Sequence, residues 1–482
     1  MPRVKLNLLA FDFGSSSGRA ILGKYNGRHI VLEEILRFVD GNRFINGHHY
    51  WDIIKLYNQI IDGIRKANRI TKNRISGIGI DTCGVDYGLL DKNNSLMGYP
   101  YFYRDHRTDN LMDEVFSIVS KEVIYQETGI QFMNCNTIIQ LYSDLKKRPW
   151  ILENAQSLLF LPDLLNFLLT GKKYSEYTVA STSQFYNPNQ EDWAYNLLKK
   201  LHLPTNILQT IIQPGNEIGD LSENIKKECS IQIKLPVIAV GSHDTASAIA
   251  GTPIEIRDDS IYISCGSWSL LGMEFTSPII NQQTMQYNFA NELGIEKTVR
   301  FLTNISGLWF LDQCKRCWEK QGQEVSFQEL SRLAAQKEAN NFRIDINDEI
   351  FLNPADPIRA IQDYCKKTNQ NFPEDNISVT RAIYDDLAHK YKYYIEKLEE
   401  ITGKKIRNVN IVGGGSKSET LCQLVANVTG KRVIAGPENA TAYGNIIAQL
   451  IAKGEIKNLK EGREIIKKSI NLKQYQSMKQ IR

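Results

Sequence analysis

The stretch Val240-Gly-Ser-His-Asp-Thr-Ala-Ser247 lies near the middle of the chain and decides how the other segments are interpreted. An apolar run from Leu235 to Val240 precedes it and predicts a strand, and a run of small residues follows it. His243 and Asp244 therefore place a proton donor and a proton acceptor where a strand ends, which is where open α/β sheets bind their ligands. The same residues also fit a polar turn before a helix, with Asp244 or Thr245 as the N-cap.

The composition predicts a globular protein of two domains. The chain has 482 residues, of which 42% are apolar and 23% are charged, and a single core does not grow to this length. Its 58 basic and 54 acidic residues are interspersed and leave a net charge of +4, which excludes nucleic-acid-binding stripes and polybasic membrane patches. The most apolar run, Ser157 to Thr170, is broken by Pro162 and Asp163 and is too short to span a bilayer.

The cysteines and the first residues predict a cytoplasmic protein. Eight cysteines in a long chain without the apolar stretch of a signal peptide indicate reduced thiols. Cys314 and Cys317 form one Cys-x-x-Cys without a second pair, so we interpret them as packed thiols and not as metal ligands.

A glycine- and serine-rich turn follows the first predicted strand, Leu6 to Phe11. The turn, Asp12-Phe-Gly-Ser-Ser-Ser-Gly-Arg19, leads into a second strand from Ala20 to Tyr25. Backbone N–H groups of such a turn can surround a phosphate, and Asp12 could hold a hydrated Mg²⁺ against it. A plain β-hairpin fits the same residues.

Two further polar clusters come after predicted strands in the first half. The strand from Ile75 to Ile80 ends in Asp81-Thr-Cys-Gly-Val-Asp-Tyr-Gly88, where Gly84 would allow a polar ligand to approach the backbone closely. A structural glycine in a bulge fits equally well. Tyr103 to Thr108 is either a solvated loop or the lip of a sugar site.

The second half of the chain repeats the layout of the first. Ser260 to Gly272 is again a strand, a Gly-Ser turn and a strand, which indicates two homologous halves. Val409 to Ser418 predicts a buried strand and a turn of three glycines, followed by a helix from Glu419 whose N-terminus could bind an anion. Neither the P-loop spacing nor that of dinucleotide-binding proteins is present.

The remaining segments receive simpler interpretations. We expect a polar loop over Gly41 to Tyr50, an amphipathic helix over Ile53 to Asn68 and a long helix over Ser378 to Thr402. The polar segment from Asn340 to Pro373 is predicted to consist mainly of loops. The basic tail, Lys467 to Arg482, reads as solvated helix or disorder.

Taken together, the motifs resemble those of the FGGY carbohydrate kinases, and within that family the kinases of L-rhamnulose. The family belongs to the superfamily of sugar kinases, hexokinase, heat-shock chaperone ATPases and actin. The resemblance extends from about residue 8 to about residue 452. It rests on seven motifs in a shared order: Asp12-Phe-Gly-Ser-Ser-Ser-Gly-Arg19, Gly79-Ile-Asp-Thr-Cys-Gly-Val-Asp86, Tyr103-Arg-Asp-His-Arg-Thr108, Gly241-Ser-His-Asp-Thr245, Cys265-Gly-Ser-Trp-Ser269, Asn304-Ile-Ser-Gly-Leu-Trp309 and Val412-Gly-Gly-Gly415.

The resemblance implies an α/β fold of two duplicated ribonuclease H-like domains, with a nucleotide and sugar cleft between them. The first domain would cover residues 1–250 and carry the sugar site, the second would cover 251–465 and carry the ATP site, and 466–482 would be the basic tail. The implied reaction is ATP-dependent phosphorylation of the C1 hydroxyl of L-rhamnulose.

The resemblance also assigns roles to individual residues. Asp244 would be the catalytic base, and Asp12 would help to hold Mg²⁺. The residues on the sugar would be Gly84, His243, Asp244, Thr245 and Asn304. The residues on ATP would be Ser15, Ser16, Ser17, Gly18, Arg19, Ser267 and Gly414.

Some positions depart from the family pattern. Cys83 stands where tryptophan is usual, which bears on the identity of the ketose, and Leu293 stands where glycine often follows Glu292. Ser267 replaces threonine and keeps the hydroxyl, whereas Asp312, which replaces glutamine, would be repelled by phosphates and receives no role. The alternatives are a kinase of another deoxy-ketose such as L-fuculose, a sugar or nucleotide sensor without turnover, and an actin-like or chaperone ATPase.

Overall fold

The computed structural model describes residues 4–39, 41–337, 342–351, 354–373 and 375–478. The strands of its first half are β1 (Leu6–Phe13), β2 (Ser17–Tyr25), β3 (Ile30–Val39), β4 (Asn42–Ile45), β5 (His48–Trp51), β6 (Gly77–Thr82), β7 (Tyr87–Leu90), β8 (Ser157–Phe160), β9 (Ser175–Glu176), β10 (Tyr186–Asn187), β11 (Asp192–Trp193), β12 (Ile211–Ile212), β13 (Glu217–Asp220) and β14 (Pro236–Ile238). Those of the second half are β15 (Ser260–Cys265), β16 (Trp268–Phe275), β17 (Ala290–Leu293), β18 (Val299–Ser306), β19 (Asn408–Val412), β20 (Arg432–Ala435) and β21 (Lys473–Tyr475).

The helices account for most of the remaining described residues. The first ten are α1 (Ile53–Thr71), α2 (Leu111–Ile118), α3 (Lys121–Thr128), α4 (Thr137–Lys147), α5 (Pro149–Asn154), α6 (Leu161–Thr170), α7 (Tyr177–Ser181), α8 (Tyr195–Lys200), α9 (Glu223–Glu228) and α10 (Asp244–Ala250). They are followed by α11 (Gln282–Gln286), α12 (Trp309–Lys320), α13 (Phe327–Gln336), α14 (Pro357–Lys367), α15 (Asn376–Thr402), α16 (Glu419–Thr429), α17 (Ala440–Ala452) and α18 (Leu459–Ser469).

Two mixed sheets with matching strand order confirm the predicted duplication. The first sheet has the order β13-β14-β6-β1-β2-β3, and the second has the order β17-β18-β16-β15-β19-β20-β21. In the first sheet, β1 is antiparallel to β2 and parallel to β6. In the second sheet, β15 is antiparallel to β16 and parallel to β19. A further parallel strand follows in both, β14 beside β6 and β20 beside β19. This is the arrangement that the ribonuclease H-like expectation requires.

The chain divides into two compact units that do not follow sequence order. The first unit contains residues 1–253, 274–301 and 440–470, and the second contains 254–273, 302–439 and 471–482. The predicted domain limits at residues 250 and 465 stay a prediction, because the compact units group segments by contact and not by common origin.

The core of the first unit forms where α17 covers β1. Leu8 and Ala10 of β1 and Ile446 and Ile447 of α17 are buried in one apolar cluster. Strand β1 is buried along its last six residues, as expected for a central strand that is covered on both faces.

Helices α10 and α17 approach each other closely, because glycine lies at their contact. A Cβ atom on Gly444 would lie 1.8 Å from the carbonyl oxygen of Ser247, and one on Gly251 would lie 2.0 Å from that of Ala440. Helix α10 begins at Asp244, so this contact sets the position of the helix that carries the predicted base.

Several expectations about local structure were wrong. The predicted loop over residues 41–50 is a hairpin, in which β4 and β5 pair antiparallel from Asn42 with Trp51 to Ile45 with His48. The predicted turn over Asp12 to Arg19 is shorter, since these two residues face each other within the β1–β2 pair. The polar segment from Asn340 to Pro373 contains α14, and its residues 340, 341, 352 and 353 lie outside the described residues.

The basic tail is more ordered than expected over the residues that the structure describes. Helix α18 extends to Ser469, and β21 pairs antiparallel with β20, where it covers the edge of the second sheet. Residues 479–482 lie outside the described residues. Within the described ranges, no helix combines the length and hydrophobicity needed to cross a bilayer.

Candidate active site

The carboxyl ends of β1 and β6 lie next to the turn that follows β14. The N–H of Cys83 donates to the carbonyl of Phe13 at 3.3 Å, and the N–H of Thr82 donates to the carbonyl of Ser242 at 2.9 Å. Thr82 also pairs with His243 in a parallel bridge. Because the three strands are parallel, their ends bring Asp12, Asp81 and Asp244 to one edge of the sheet.

Glu176 and Thr178 hold the backbone of the central turn. The N–H of Ser242 donates to Glu176 Oε2 at 3.1 Å, and the N–H of His243 donates to Thr178 Oγ1 at 3.2 Å. Burial raises the pKa of Glu176 to about 7. The N-cap of α10 is His243 and not Asp244 or Thr245, because the clamped backbone already turns into the helix one residue earlier.

Asp244 presents a partly exposed carboxylate beside two polar neighbours. Its side chain is 29% exposed, and its Oδ1 lies 3.5 Å from His243 Nε2. The Thr245 hydroxyl donates to the same oxygen at 3.1 Å. Burial raises the pKa of Asp244, His243 and Thr245 oppose that shift, and the charge of Asp12 adds to it. The group can therefore accept a proton from a ligand that reaches this edge of the sheet.

The donor set around Asp12 fits a hydrated Mg²⁺. Asp12 is paired with Arg19, and its strand neighbour Asp81 is fully buried. Asn445 Nδ2 donates to one oxygen of Asp81 at 2.6 Å, and the other oxygen has no hydrogen-bond partner among the described residues. Burial, and then the charge of Asp12, raise the pKa of Asp81 well above its usual range. Mg²⁺ keeps several waters and needs only one or two carboxylates, although the described residues form no cluster of three or more metal-binding side chains.

Gly84 begins a strained segment after β6. A Cβ atom on Gly84 would lie 3.0 Å from Thr182 Oγ1, so the position leaves little room for a side chain. The next residue, Val85, has φ of 69°, a conformation that costs a β-branched residue free energy. Its N–H donates to Thr182 Oγ1 at 3.2 Å, and its carbonyl accepts from Thr137 Oγ1 at 2.7 Å. Tertiary contacts thus hold the backbone beside Gly84 in place.

The motif from Tyr103 to Thr108 is not a solvated loop. Asp105, Arg107 and Thr108 are buried. Arg107 Nη1 pairs with Asp144 Oδ1 at 2.5 Å, and Asp105 accepts from the N–H of His49 at 2.7 Å. These partners compensate the charges of Asp105 and Arg107 in the absence of solvent. The alternative prediction, that the motif forms the lip of a sugar site, stays a prediction.

Three of the predicted ligand-binding residues, Ser267, Asn304 and Gly414, lie in the second unit. Ser267 lies in the β15–β16 turn, and its carbonyl accepts from the N–H of Gly307 at 3.1 Å. Asn304 lies on β18, three residues before Gly307. Gly414 begins a 3-10 turn, and a Cβ atom on the next residue would lie 2.3 Å from Cys265 Sγ. This 3-10 turn separates the glycines from α16, so the glycines do not open the α-helix directly.

Three residues that support the central turn received no role from the sequence. They are Glu176, Glu292 and Arg300, and all three are buried. Glu292 Oε2 and Arg300 Nη2 both lie 3.2 Å from His243 Nδ1. A charged residue within an apolar strand run, such as Arg300 between Val299 and Phe301, is the one signal that could have indicated them.

A model of one protein family matches most of the chain. The model of the FGGY family of carbohydrate kinases matches residues 7–251 with its N-terminal domain and residues 261–453 with its C-terminal domain. The chain therefore belongs to the FGGY family of carbohydrate kinases and is an ATP-dependent carbohydrate kinase.

Two relatives cover almost the full chain. A rhamnulokinase of Bacteroides thetaiotaomicron is 40% identical over 472 residues, which are 98% of this chain and 96% of that protein. A rhamnulokinase of Enterococcus faecalis is 40% identical over 477 residues, with 98% and 94% coverage. Among solved structures, the xylulose kinase of Lactobacillus acidophilus superposes with a TM-score of 0.80 at 16% identity, over 98% of this chain and 94% of that one. At this identity the likeness concerns the fold alone.

Proposed function

We propose that this kinase transfers the γ-phosphoryl group of ATP to the C1 hydroxyl of L-rhamnulose, with Asp244 as the base. The observation that carries the proposal is the partly exposed Asp244 carboxylate at the strand exit, next to His243 and Thr245. The names of the two relatives support the choice of ketose.

The chemistry requires positioning more than a strong base. Transfer of a γ-phosphoryl group passes through a loose transition state, in which the attacking hydroxyl loses its proton late. A carboxylate whose pKa starts near about 4 and is raised by burial is then an adequate acceptor. His243, Thr245 and Gly84 would orient the ketose in the first unit, and Asn304 would contact it from its own strand.

The ATP contacts are proposed on both Gly/Ser turns. Ser15 and Ser16 would donate to phosphate oxygens from the β1–β2 turn, and Ser17, Gly18 and Arg19 would do so from the start of β2. Ser267 and Gly414 would donate from the second unit. Asp12 would hold Mg²⁺, which neutralises phosphate charge when it is bound. Binding of the nucleotide would draw Arg19 away from Asp12, because phosphate competes for the guanidinium.

One observation favours an alternative to L-rhamnulose as the substrate. Cys83 is half-buried and follows β6 directly before Gly84, where the family usually has tryptophan. Burial raises the pKa of its thiol well above the usual range, so it acts as a small neutral group. A smaller side chain here leaves room for a different deoxy-ketose, such as L-fuculose.

A coupled ADP-release assay over a panel of ketoses tests the proposal. We expect release that depends on L-rhamnulose, and we expect Asp244→Asn to lower kcat by a factor of about 100 to 10,000 with little change in ATP binding. Preference for another ketose would correct the substrate and leave the mechanism standing. ATP binding without ketose-stimulated release would contradict the proposal and favour a sensor.

A further inference from the structure

Behind the predicted base lies a buried ion pair that the proposed chemistry leaves unused. Glu292 on β17 and Arg300 on β18 are 5% and 1% exposed. Arg300 Nη2 lies 3.1 Å from Glu292 Oε2. Arg300 Nε and Nη2 also donate to the carbonyl of Leu293, at 3.1 and 3.0 Å. The guanidinium therefore has a fixed position and orientation.

The fixed guanidinium determines which nitrogen of His243 can carry the proton. Arg300 Nη2 lies 3.2 Å from His243 Nδ1, and a guanidinium can only donate hydrogen bonds. Glu292 Oε2 lies equally close to Nδ1, but the two atoms make an ion-pair contact and the Arg300 contact has hydrogen-bond geometry. Nδ1 is therefore assigned as the acceptor, which places the imidazole proton on Nε2. The opposite nitrogen, Nε2, lies 3.5 Å from Asp244 Oδ1, so a proton on Nε2 is next to that carboxylate.

We propose that Arg300, held by Glu292, is a positioning residue that fixes His243 as the Nε2–H tautomer and so aims a donor at Asp244. The proposal rests on the proposed function, since it takes Asp244 as the base. Asp244 also faces the negative charge of Asp12, which lies at the same sheet edge. The Nε2–H group, together with the Thr245 hydroxyl, then keeps one oxygen occupied and leaves the other for the substrate hydroxyl.

The tautomer can be measured directly in the wild-type protein. The chain has seven histidines, and selective ¹⁵N labelling distinguishes protonated from unprotonated ring nitrogens by chemical shift and coupling. His243→Gln identifies the signals of this residue. We expect a protonated Nε2 and an unprotonated Nδ1 near neutral pH. A protonated Nδ1, whether in the other tautomer or in an imidazolium, overturns the proposal. This readout needs no substrate, so it decides the proposal even if no ketose is phosphorylated.

The functional consequence is tested with Arg300→Met. Without the guanidinium donor, Glu292 becomes the only charged partner at 3.2 Å from Nδ1, so the proton should move to Nδ1. We expect kcat to fall by a factor of up to about 100, since a misplacement of about 1 Å at a reacting centre can cost that much, with little change in the KM values. An unchanged kcat, or a lower kcat without a change of tautomer, would contradict the proposal.

Arg463→Met is the matched control in the same unit. Arg463 Nη2 pairs with Glu274 Oε2 at 2.7 Å and donates to the carbonyl of Ile249 at 2.8 Å, so it is another buried arginine with one carboxylate and one carbonyl partner. This variant should lose stability and keep the tautomer of His243. Its kcat should fall less than that of Arg300→Met, because Arg463 contacts α10 at Ile249, near the end of the helix away from Asp244. An equal loss of kcat in both variants would mean that any broken buried pair has this effect, and would overturn the proposal.

Discussion

Replacing Gly444 by alanine sets two opposite effects against each other. Gly444 lies within α17, where alanine is favoured over glycine by about 1 kcal/mol in intrinsic helix propensity. Propensity alone therefore predicts a more stable protein. The new methyl group, however, would lie 1.8 Å from the carbonyl oxygen of Ser247 on α10.

The collision should outweigh the gain in propensity. An ordinary contact between carbon and a carbonyl oxygen is roughly 3.3 Å, so the two helices must separate by roughly 1.5 Å or deform. The opposing atoms belong to the backbone and cannot rotate away as a side chain would. Overpacking costs about 1 to 3 kcal/mol and occasionally more. Because the collision is with rigid backbone, we take the upper end, about 3 kcal/mol, which leaves a net loss of about 2 kcal/mol after the gain of about 1 kcal/mol in propensity. Because α10 begins at Asp244, kcat should fall together with stability.

Thermal unfolding and the ADP-release assay measure both effects in one preparation. Thr441→Ala is the matched control, since it changes the same helix without adding atoms at the contact with α10. We expect Tm to fall by about 3 °C in Gly444→Ala, because about 2 kcal/mol is divided by an unfolding entropy of about 2.1 cal/mol/K per residue over the roughly 300 residues of the first unit. Tm should change little in the control. A Tm at or above the wild-type value in Gly444→Ala would refute this prediction, because it would show that the gain in helix propensity exceeds the cost of the collision with Ser247.

Two further predictions concern buried polar groups. Burial raises the pKa values of Asp86 and Glu176 to about 7 in the folded protein, above their values in the unfolded chain. The stability that these two carboxyl groups contribute is therefore fully present below about pH 4 and is lost as the pH rises toward about 7. At about 1.4 kcal/mol per pKa unit, Asp86 alone contributes up to about 4 kcal/mol. Tm should therefore fall between about pH 4 and 7, and a rising Tm would contradict this. In the second unit, Tyr391 shares a hydrogen bond with Ser269 Oγ at 2.6 Å, so Tyr391→Phe should cost about 1 to 2 kcal/mol, as measured by chemical denaturation. Tyr393→Phe on the same helix, where the side chain is exposed, should be neutral, and equal losses in the two variants would exclude the hydrogen bond as the cause.

The fold class and the repeated architecture could be predicted because they depend on local patterns. Strand β1 and its Gly/Ser turn recur at β15, and such patterns of apolar residues and turn residues are written in consecutive positions. The duplication then follows from the recurrence alone, and the matching strand orders confirm it. The candidate base, Asp244, could be predicted for the same reason, since a polar pair at a strand exit is a local feature.

The supporting residues could not be predicted, because their roles depend on distant segments. Arg300 lies 57 positions from His243 in the chain, and Asn445 lies 364 positions from Asp81. The burial of Arg107 could not be predicted either, because it depends on Asp144, which α4 supplies. A charged residue looks solvated in the sequence until the partner that stabilises it in the interior is known.

By itself, the sequence determined which residue types stand at strand ends and therefore what chemistry this kinase can attempt. Only the tertiary structure decided which partners those groups have, how deeply they are buried and how they are spaced. The physical reason is that hydrogen bonding and burial act over a few ångströms in space, whereas the partners of His243 and Asp81 are separated from them by tens to hundreds of residues along the chain.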